Sequence, residues 1–381
     1  MAENYEPIAD EIASVVIGAF ETKKLKGKPT TRSNGVKEWT VLAGIVAIFN
    51  SNPDQYDIGL VSLATGVKAI PEMIISKYSQ GGRILHDCHA EVLCIRSFNW
   101  VIANECTKVK NGEESKYIEY TDDDTLRFKL KDGIEFALYV SELPCGDSSL
   151  EQLIEEDDVK WDKLTKLPGG VLRGREDFMT KGKVRTKPGR RDSPLCMSMS
   201  CSDKISMTQF TSLLNGVVSS YCDTIGFFID LIVVPKNKFD ETGMNRAFRN
   251  RFDSNYANNA HMIQCLSTNV EEYLFAKDDA KKSPSNTSLI YIPDYDLNES
   301  IVNGVKEGFF NKKTYIRKNG ESIVSRVKLF EASRPHLKII DGNYYGLKKQ
   351  NIKYNELKQI GIEALCGWAN TTEDDFSLDS I

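Results

Sequence analysis

The sequence predicts an α/β fold, a sheet of buried strands flanked by helices, in a chain of 381 residues. Three observations predict it. Apolar runs over 41–49, 58–63, 134–143 and 226–235 have the length and continuity of buried strands. Helical periodicity occupies 5–25, 86–102 and 203–221 between and around them. The run over 134–143 ends directly in Pro144-Cys145, the strand-to-helix punctuation of an α/β unit.

Taken in order, the opening helix over 5–25 spaces Ile8, Ile12, Val15, Val16, Phe20 and Leu25 near helical period. Strands 41–49 and 58–63 follow, and the second runs into a turn, Ala64-Thr65-Gly66-Val67-Lys68. A helix over 86–102 takes Asp87 as its cap and holds His89 and Glu91 in its first turn. Residues 108–125, charged and turn-rich, read as an exposed excursion. After strand 134–143, Pro144 suits the first position of a helix. Residues 203–221 read as a helix, 226–235 as a central strand and 241–265 as a helix carrying Arg246, Arg249 and Arg251. A polar linker over 277–287 leads to short strands at 288–292 and 323–329, two helical stretches ending at Trp368, and a frayed acidic tail over 371–381. The whole of 1–381 reads as one domain with an insertion at about 150–195 and a distinct C-terminal part at about 288–370.

Composition excludes several classes. Apolar residues make up 41% and charged residues 27%, as in ordinary globular chains. No stretch approaches the roughly 20 apolar residues of a membrane span, and the acidic start Met1-Ala2-Glu3-Asn4 lacks a leader pattern, so no membrane partner is expected. Nine cysteines at irregular spacings argue for reduced thiols in an intracellular compartment, cytoplasm or nucleus. The net charge of −5 does not favour nucleic acid, but binding needs only a local basic patch. Arg173, Arg175, Lys181, Lys183, Arg185, Lys187, Arg190 and Arg191 supply one. The glycines among them and Pro188 make it a loop.

The chemistry-bearing pattern is His89-Ala90-Glu91, then Pro144-Cys145, then Ser200-Cys201-Ser202-Asp203-Lys204. It offers one histidine, two cysteines and one glutamate that is not a ligand, the requirement of a zinc-dependent nucleobase deaminase. His89, Cys145 and Cys201 would bind Zn²⁺, leaving a fourth position to water whose pKa falls to about 7. Glu91 would carry the water's proton to the ring nitrogen and later to departing ammonia. The usual second thiolate three residues after the first is missing, because position 148 is serine. Cys196 and Cys201 are the nearest later candidates. Cys196 lacks the Ser-Asp-Lys continuation, so Cys201 is preferred.

The wording around the three ligands, Asp87-Cys88-His89-Ala90-Glu91, Pro144-Cys145-Gly146-Asp147 and Met199-Ser200-Cys201-Ser202-Asp203-Lys204, resembles the RNA-editing adenosine deaminases that act on double-stranded RNA and tRNA. The resemblance runs from Val41 to Trp368, and Arg185-Thr186-Lys187-Pro188-Gly189 matches a segment of the tRNA branch. It implies a cytidine-deaminase-like core of a mixed sheet flanked by helices, enlarged by insertions and by a C-terminal extension that encloses a polyanion. It also implies that Lys68 approaches the substrate's sugar and phosphate, although Val67 replaces a polar residue there. From the tRNA branch it implies adenosine-to-inosine conversion just 3′ of the anticodon of alanine tRNA. No accessory RNA-binding domains fit in so short a chain, and no obligate protein partner is inferred.

The polyanion implied is inositol hexakisphosphate, caged by Arg96, Ser198, Lys204, Lys306, Tyr344, Lys348, Tyr354, Lys358 and Trp368. On a helix, Tyr344 and Lys348 share a face, as do Tyr354 and Lys358. Spacing alone favours two solvated helix faces, and the resemblance is what points to a cage. Ile95 and Met207 stand where relatives use arginines, and His86 where they use an amide, which implies a cage with fewer cations. Lys204, through Asp87, would orient the zinc ligands from behind, with Lys187 also near them. Two alternatives share the motif: a zinc deaminase of free nucleosides or cytidine, and a non-catalytic RNA-binding module. Intact Glu91 argues against the second. His261, His336, Cys88 and Cys94 read as ordinary structural residues.

Overall fold

The computed structural model describes residues 6–52, 55–78, 81–121, 126–152, 167–177, 179–187, 193–270, 273–277, 281–338 and 342–381. Eight strands form its central mixed sheet: β1 (Leu42–Asn52), β2 (Gln55–Thr65), β3 (Ile134–Val140), β4 (Leu231–Pro235), β5 (Gln264–Thr268), β6 (Thr287–Ile292), β7 (Leu297–Val302) and β8 (Val305–Lys306). Their order is β5-β4-β3-β1-β2-β6-β7-β8. β3, β4 and β5 run parallel, and the other neighbouring pairs are antiparallel.

Alternation along the strands divides the core into two layers. Ala43, Ile45 and Ala47 of β1, with Phe136, Leu138, Ile232 and Val234, share one cluster with the long helix α2 (Ala90–Lys110). Leu42, Val46 and Ile48, with Ala137, Tyr139, Leu231 and Val233, share the other with α1 (Glu6–Thr22) through Ile12, Val16 and Phe20. Gly44 lets α1 come close, since a Cβ there would stand 2.6 Å from the Val16 methyls. Strands covered on both faces read as unbroken apolar runs, and for that reason they were visible in the sequence.

Several local expectations need correction. Asp87 does not cap the helix: Asp87–His89 is a short strand paired with Val67–Ala69, and α2 starts at Ala90 with His89 as its cap. Pro144 does not itself open a helix: Gly146 takes φ 111°, a 3₁₀ turn over Asp147–Ser149 follows, and α-helix begins only at Leu150. The helix at 203–221 is α3 (Cys201–Thr211), ended by Ser212 in a left-handed conformation with φ 74°. Of 226–235 only Leu231–Pro235 is strand, and it lies one place from the sheet edge. Residues 241–265 break into Glu241–Asn245, a π turn at Arg246–Asn250, a 3₁₀ turn and then β5.

The 108–125 excursion is partly interior, with Tyr117 and Ile118 buried. In the 277–287 linker, Ser283–Pro284 pairs with Glu38–Trp39. The strand expected at 323–329 is instead helix α4 (Arg326–Ser333), because the Ser325 hydroxyl caps it by accepting from the Lys328 amide.

The acidic tail is not frayed. It returns to α5 (Tyr344–Gln350), which is followed by α6 (Ile352–Ala364). Phe376 stacks on Tyr344 at 4.9 Å between ring centres, Leu378 is fully buried, and backbone bonds link Tyr344 to Phe376 and Leu378 to Gly342. Leu378→Ala should therefore cost about 2–5 kcal/mol in a urea unfolding titration. A change near zero would mean the tail is undocked.

Candidate active site

Two candidate ligands stand at helix starts, and the third lies in the turn after a strand. His89 caps α2, Cys145 follows β3, and Cys201 is the first residue of α3 behind its cap Ser200. Their donor atoms lie within 4.8 Å of one another, and among the described residues they form the one such group of three or more. His89 Nδ1 is 3.7 Å from Cys145 Sγ and 3.6 Å from Cys201 Sγ. Tetrahedral zinc with its usual Zn–S and Zn–N bonds would place these atoms about 3.6 Å apart. Both His–Cys separations match that spacing.

A local zipper joins the two thiol segments, though 56 residues separate them. The Ser202 amide donates to the Cys145 carbonyl at 3.0 Å, and the Ser202 hydroxyl donates to the Pro144 carbonyl at 2.9 Å. Ser148, in the place of the usual second cysteine, spends its hydroxyl on Pro144 and Ser202. Gly146 is required at the crossing, because a Cβ there would meet Ser200 Oγ at 2.2 Å. Asp203 anchors α3 from inside: it accepts from the Ser200 hydroxyl, the Arg185 amide and, at 2.6 Å, the Arg251 guanidinium.

Glu91, in the first turn of α2, is buried, and its Oε2 has no hydrogen-bond partner among the described residues. Burial raises its carboxyl above the usual range, although Lys187 opposes the shift. Burial therefore makes this carboxyl hold a proton more readily than an exposed glutamate does. Lys187 Nζ lies 2.6 Å from Cys201 Sγ, 3.6 Å from Cys145 Sγ and 3.4 Å from the Asp87 carboxylate. Burial alone would lower this ammonium, but Asp87 and the thiols outweigh it and hold it charged. Burial likewise opposes ionisation of Cys145, yet Cys201, Lys187 and His89 bring its thiol well below the ordinary value.

Asp87 is the hinge of this network. Its carboxylate accepts from Lys204, from the Ser198 hydroxyl at 2.8 Å and from the His89 amide at 3.1 Å. Lys187 and Lys204 override burial and keep it ionised.

Other sequence expectations separate cleanly. Cys196 is half-buried, outside the donor group, with burial pushing its thiol up to about 11. Cys88 and Cys94 are buried and pushed up to about 12. His336 packs against Phe128 and Tyr221, and His261 bonds Asp230 at 2.8 Å.

A mouth of about 430 Å³ opens at His89 and Lys187, with Lys68 and Arg173 on its walls. Arg185 is a correction to the basic loop: it is buried and its guanidinium donates to the carbonyls of Gly174, Glu176 and Thr180, so it faces no RNA. Lys181 pairs with Glu151, Lys183 is exposed and Arg175 is half-buried. Arg190 and Arg191 lie outside the described residues.

A second cavity of about 460 Å³ gathers Arg96, Ser198, Lys204, Lys348, Lys358 and Trp368. Arg326, Tyr345 and Lys349 also line it, and the sequence reading missed them. Ser325, a helix cap, was the signal that could have placed Arg326 on a helix facing Arg96. Lys306 is a second correction, since it stands on β8 near Glu299 (3.6 Å) and lines no part of this cavity. Tyr344 and Tyr354 also fall outside its lining: Tyr344 is buried beside Arg326, and Tyr354 abuts Gly216. Met207, where an arginine would add charge, is packed under Gly361.

Histidine, two cysteines and a buried glutamate on an α/β sheet define the class of hydrolytic nucleobase deaminases. The chain belongs to the adenosine-deaminase (editase) domain family, which matches residues 62–365. It is similar to tRNA-specific adenosine deaminase 1 of Saccharomyces cerevisiae, at 35% identity over 97% of this chain and 94% of the relative. Its similarity to the Schizosaccharomyces pombe protein of that name is 34%, over 97% and 96%, and to that of Drosophila melanogaster 29%, over 87% and 82%.

Cys201→Ser should lower the zinc retained per chain well below one by metal analysis after dialysis, while Cys196→Ser leaves it unchanged. The reverse ranking would reassign the third ligand.

Proposed function

We propose that the chain is a zinc-dependent deaminase converting adenosine to inosine in tRNA, with His89, Cys145 and Cys201 holding the metal. The carrying observation is the N–S spacing of 3.6–3.7 Å beside a buried glutamate with an unpartnered oxygen. Zinc bound there supplies Lewis-acid activation of water. Glu91 would accept one proton from water and deliver it to N1 of the purine as the oxygen bonds to C6. It would then carry the proton of the resulting C6 hydroxyl to the amino group as the C6–N bond breaks and ammonia leaves. Lys187 donates to the Cys201 sulfur and lies beside that of Cys145, which orients both. It favours the Cys145 thiolate, while burial and the neighbouring Cys145 push the Cys201 thiol up until a metal takes it. His89, as a helix cap, places its ring at the positive end of the α2 dipole, which favours negative charge developing at the site.

The substrate class rests on relatives named tRNA-specific adenosine deaminases that align nearly end to end. Lys68 and Arg173 at the mouth suit a phosphate backbone. The finer reading, adenosine 3′ of the anticodon of alanine tRNA, follows from the resemblance to the tRNA branch. A loop base also costs less to flip than a paired one.

Inositol hexakisphosphate is the proposed occupant of the second cavity. Burial and neighbouring cations push Lys348 and Lys358 down to about 8 and Arg96 to about 10. No acidic group forms an ion pair with Lys348 or Lys358 among the described residues, and burial lowers both, so this pair of lysines is costly without an anion.

Glu91→Gln should abolish inosine formation in tRNA while zinc stays near one per chain. Retained activity would remove Glu91 from its role. Sequencing of alanine tRNA after loss of the gene should show the inosine gone.

The lysines carry the second expectation. Their folded values lie below the ordinary 10.5, so stability is lost as pH falls from about 10.5 to about 8, and the full penalty stands below that. Added inositol hexakisphosphate should therefore raise the Tm more at pH 7 than at pH 9. An equal gain at both, or no phosphate released on denaturing the purified protein, would contradict this occupant.

A further inference from the structure

We propose that a pocket adjoining the active-site mouth receives the base of a nucleotide neighbouring the target adenosine, while a basic hairpin beside it holds the RNA backbone. The inference rests on the RNA-deaminase reading and extends it to a subsite. The pocket measures about 320 Å³ and shares Lys68, Ala69 and Pro71 with the mouth that contains His89. The strand Val67–Ala69 is thus a common wall between them. Its size, near the lower end for ligand pockets, suits one base rather than several.

The walls have the chemistry of base recognition. Phe310 and Tyr315 meet edge to face at 5.1 Å on one side, and Ile70, Pro71 and Ile74 form another. Asn286, Ser288 and Asn303 add polar groups. Unpaired RNA bases are commonly held in this way, by aromatic stacking with hydrogen bonds to their edges. Tyr315 adopts φ 66°, rare for a bulky residue, and is held there by Phe310 and by Tyr78 at 5.2 Å.

Charge gives the second observation. Phe310–Asn311 and Tyr315–Ile316 pair as a hairpin whose turn exposes Lys312 and Lys313, and Arg317 and Lys318 follow, also exposed. Glu307 is the one acid across 307–320. Within a chain of net charge −5 this is a concentrated cationic patch, set against a base-sized pocket and next to the reaction centre.

The test uses zinc-loaded full-length Glu91→Gln protein, which reads binding without turnover, and a transcript of alanine tRNA. Added Lys312→Glu and Lys313→Glu, both at exposed positions, should weaken binding at least roughly tenfold and flatten the log–log salt dependence by about 1 to 2. Replacing one of the two nucleotides flanking the target adenosine with an abasic residue should weaken binding by roughly fivefold or more, the scale of a lost stacking contact. That loss should shrink to under about twofold once Phe310→Ala is present. Unchanged affinity and salt slope in the charge-reversed protein would overturn the backbone contact. Abasic and Phe310→Ala effects that simply multiply would overturn the base pocket. Inosine formation by the unaltered enzyme reports separately on the functional reading, because these binding measurements do not depend on turnover.

Discussion

A carboxylate taken out of water must be paired or it protonates, and Asp87 meets that constraint with two ammonium groups. Lys204 reaches it from α3 and Lys187 from the strand-like segment beside the thiols. The same carboxylate accepts from the His89 backbone amide. One buried charge therefore fixes the entry to α2, the start of α3 and the lysine that touches both sulfurs. Neutralising it would leave Lys187 facing two thiols without its counter-charge and Lys204 without an anchor.

The rest of the architecture serves this junction. The two-layered sheet fixes the end of β3, and with it Cys145. Hydrogen bonds through Ser202 and Ser148, with Gly146 at the crossing, bring Cys201 to the same point from a distant segment. Asp203, clamped by Arg251 and the Arg185 amide, stops α3 from rotating. Arg185 thus contributes to the site from the interior. The proposed polyanion would lie behind Lys204, so its charge and the proposed metal's would be linked through two side chains and one carboxylate.

The proposed metal donors were legible because few residue types can bind zinc and their flanking residues are distinctive. The central strands were legible because burial on both faces leaves unbroken apolar runs. Other features were hidden for physical reasons. The strand over 87–89 has no pattern of its own and exists because Val67–Ala69 pairs with it. Ile323 and Val324 look strand-like, and only the cap at Ser325 reveals a helix, so Arg326 went unseen. Charge alone could not tell buried Arg185 from exposed Lys183. Lys306 was expected in a cage from which its strand separates it. The tail's acidic composition concealed Phe376 and Leu378, which dock it.

Asp87 would hold the proposed metal centre through Lys187 and the backbone of His89. The direct test is the rate at which zinc passes from the purified protein to a competing chelator, compared between the native chain and Asp87→Asn at matched circular dichroism. Residues that orient metal ligands typically contribute 10–100-fold to affinity, so release should be faster by about that factor. Equal release rates in the two proteins would contradict the account.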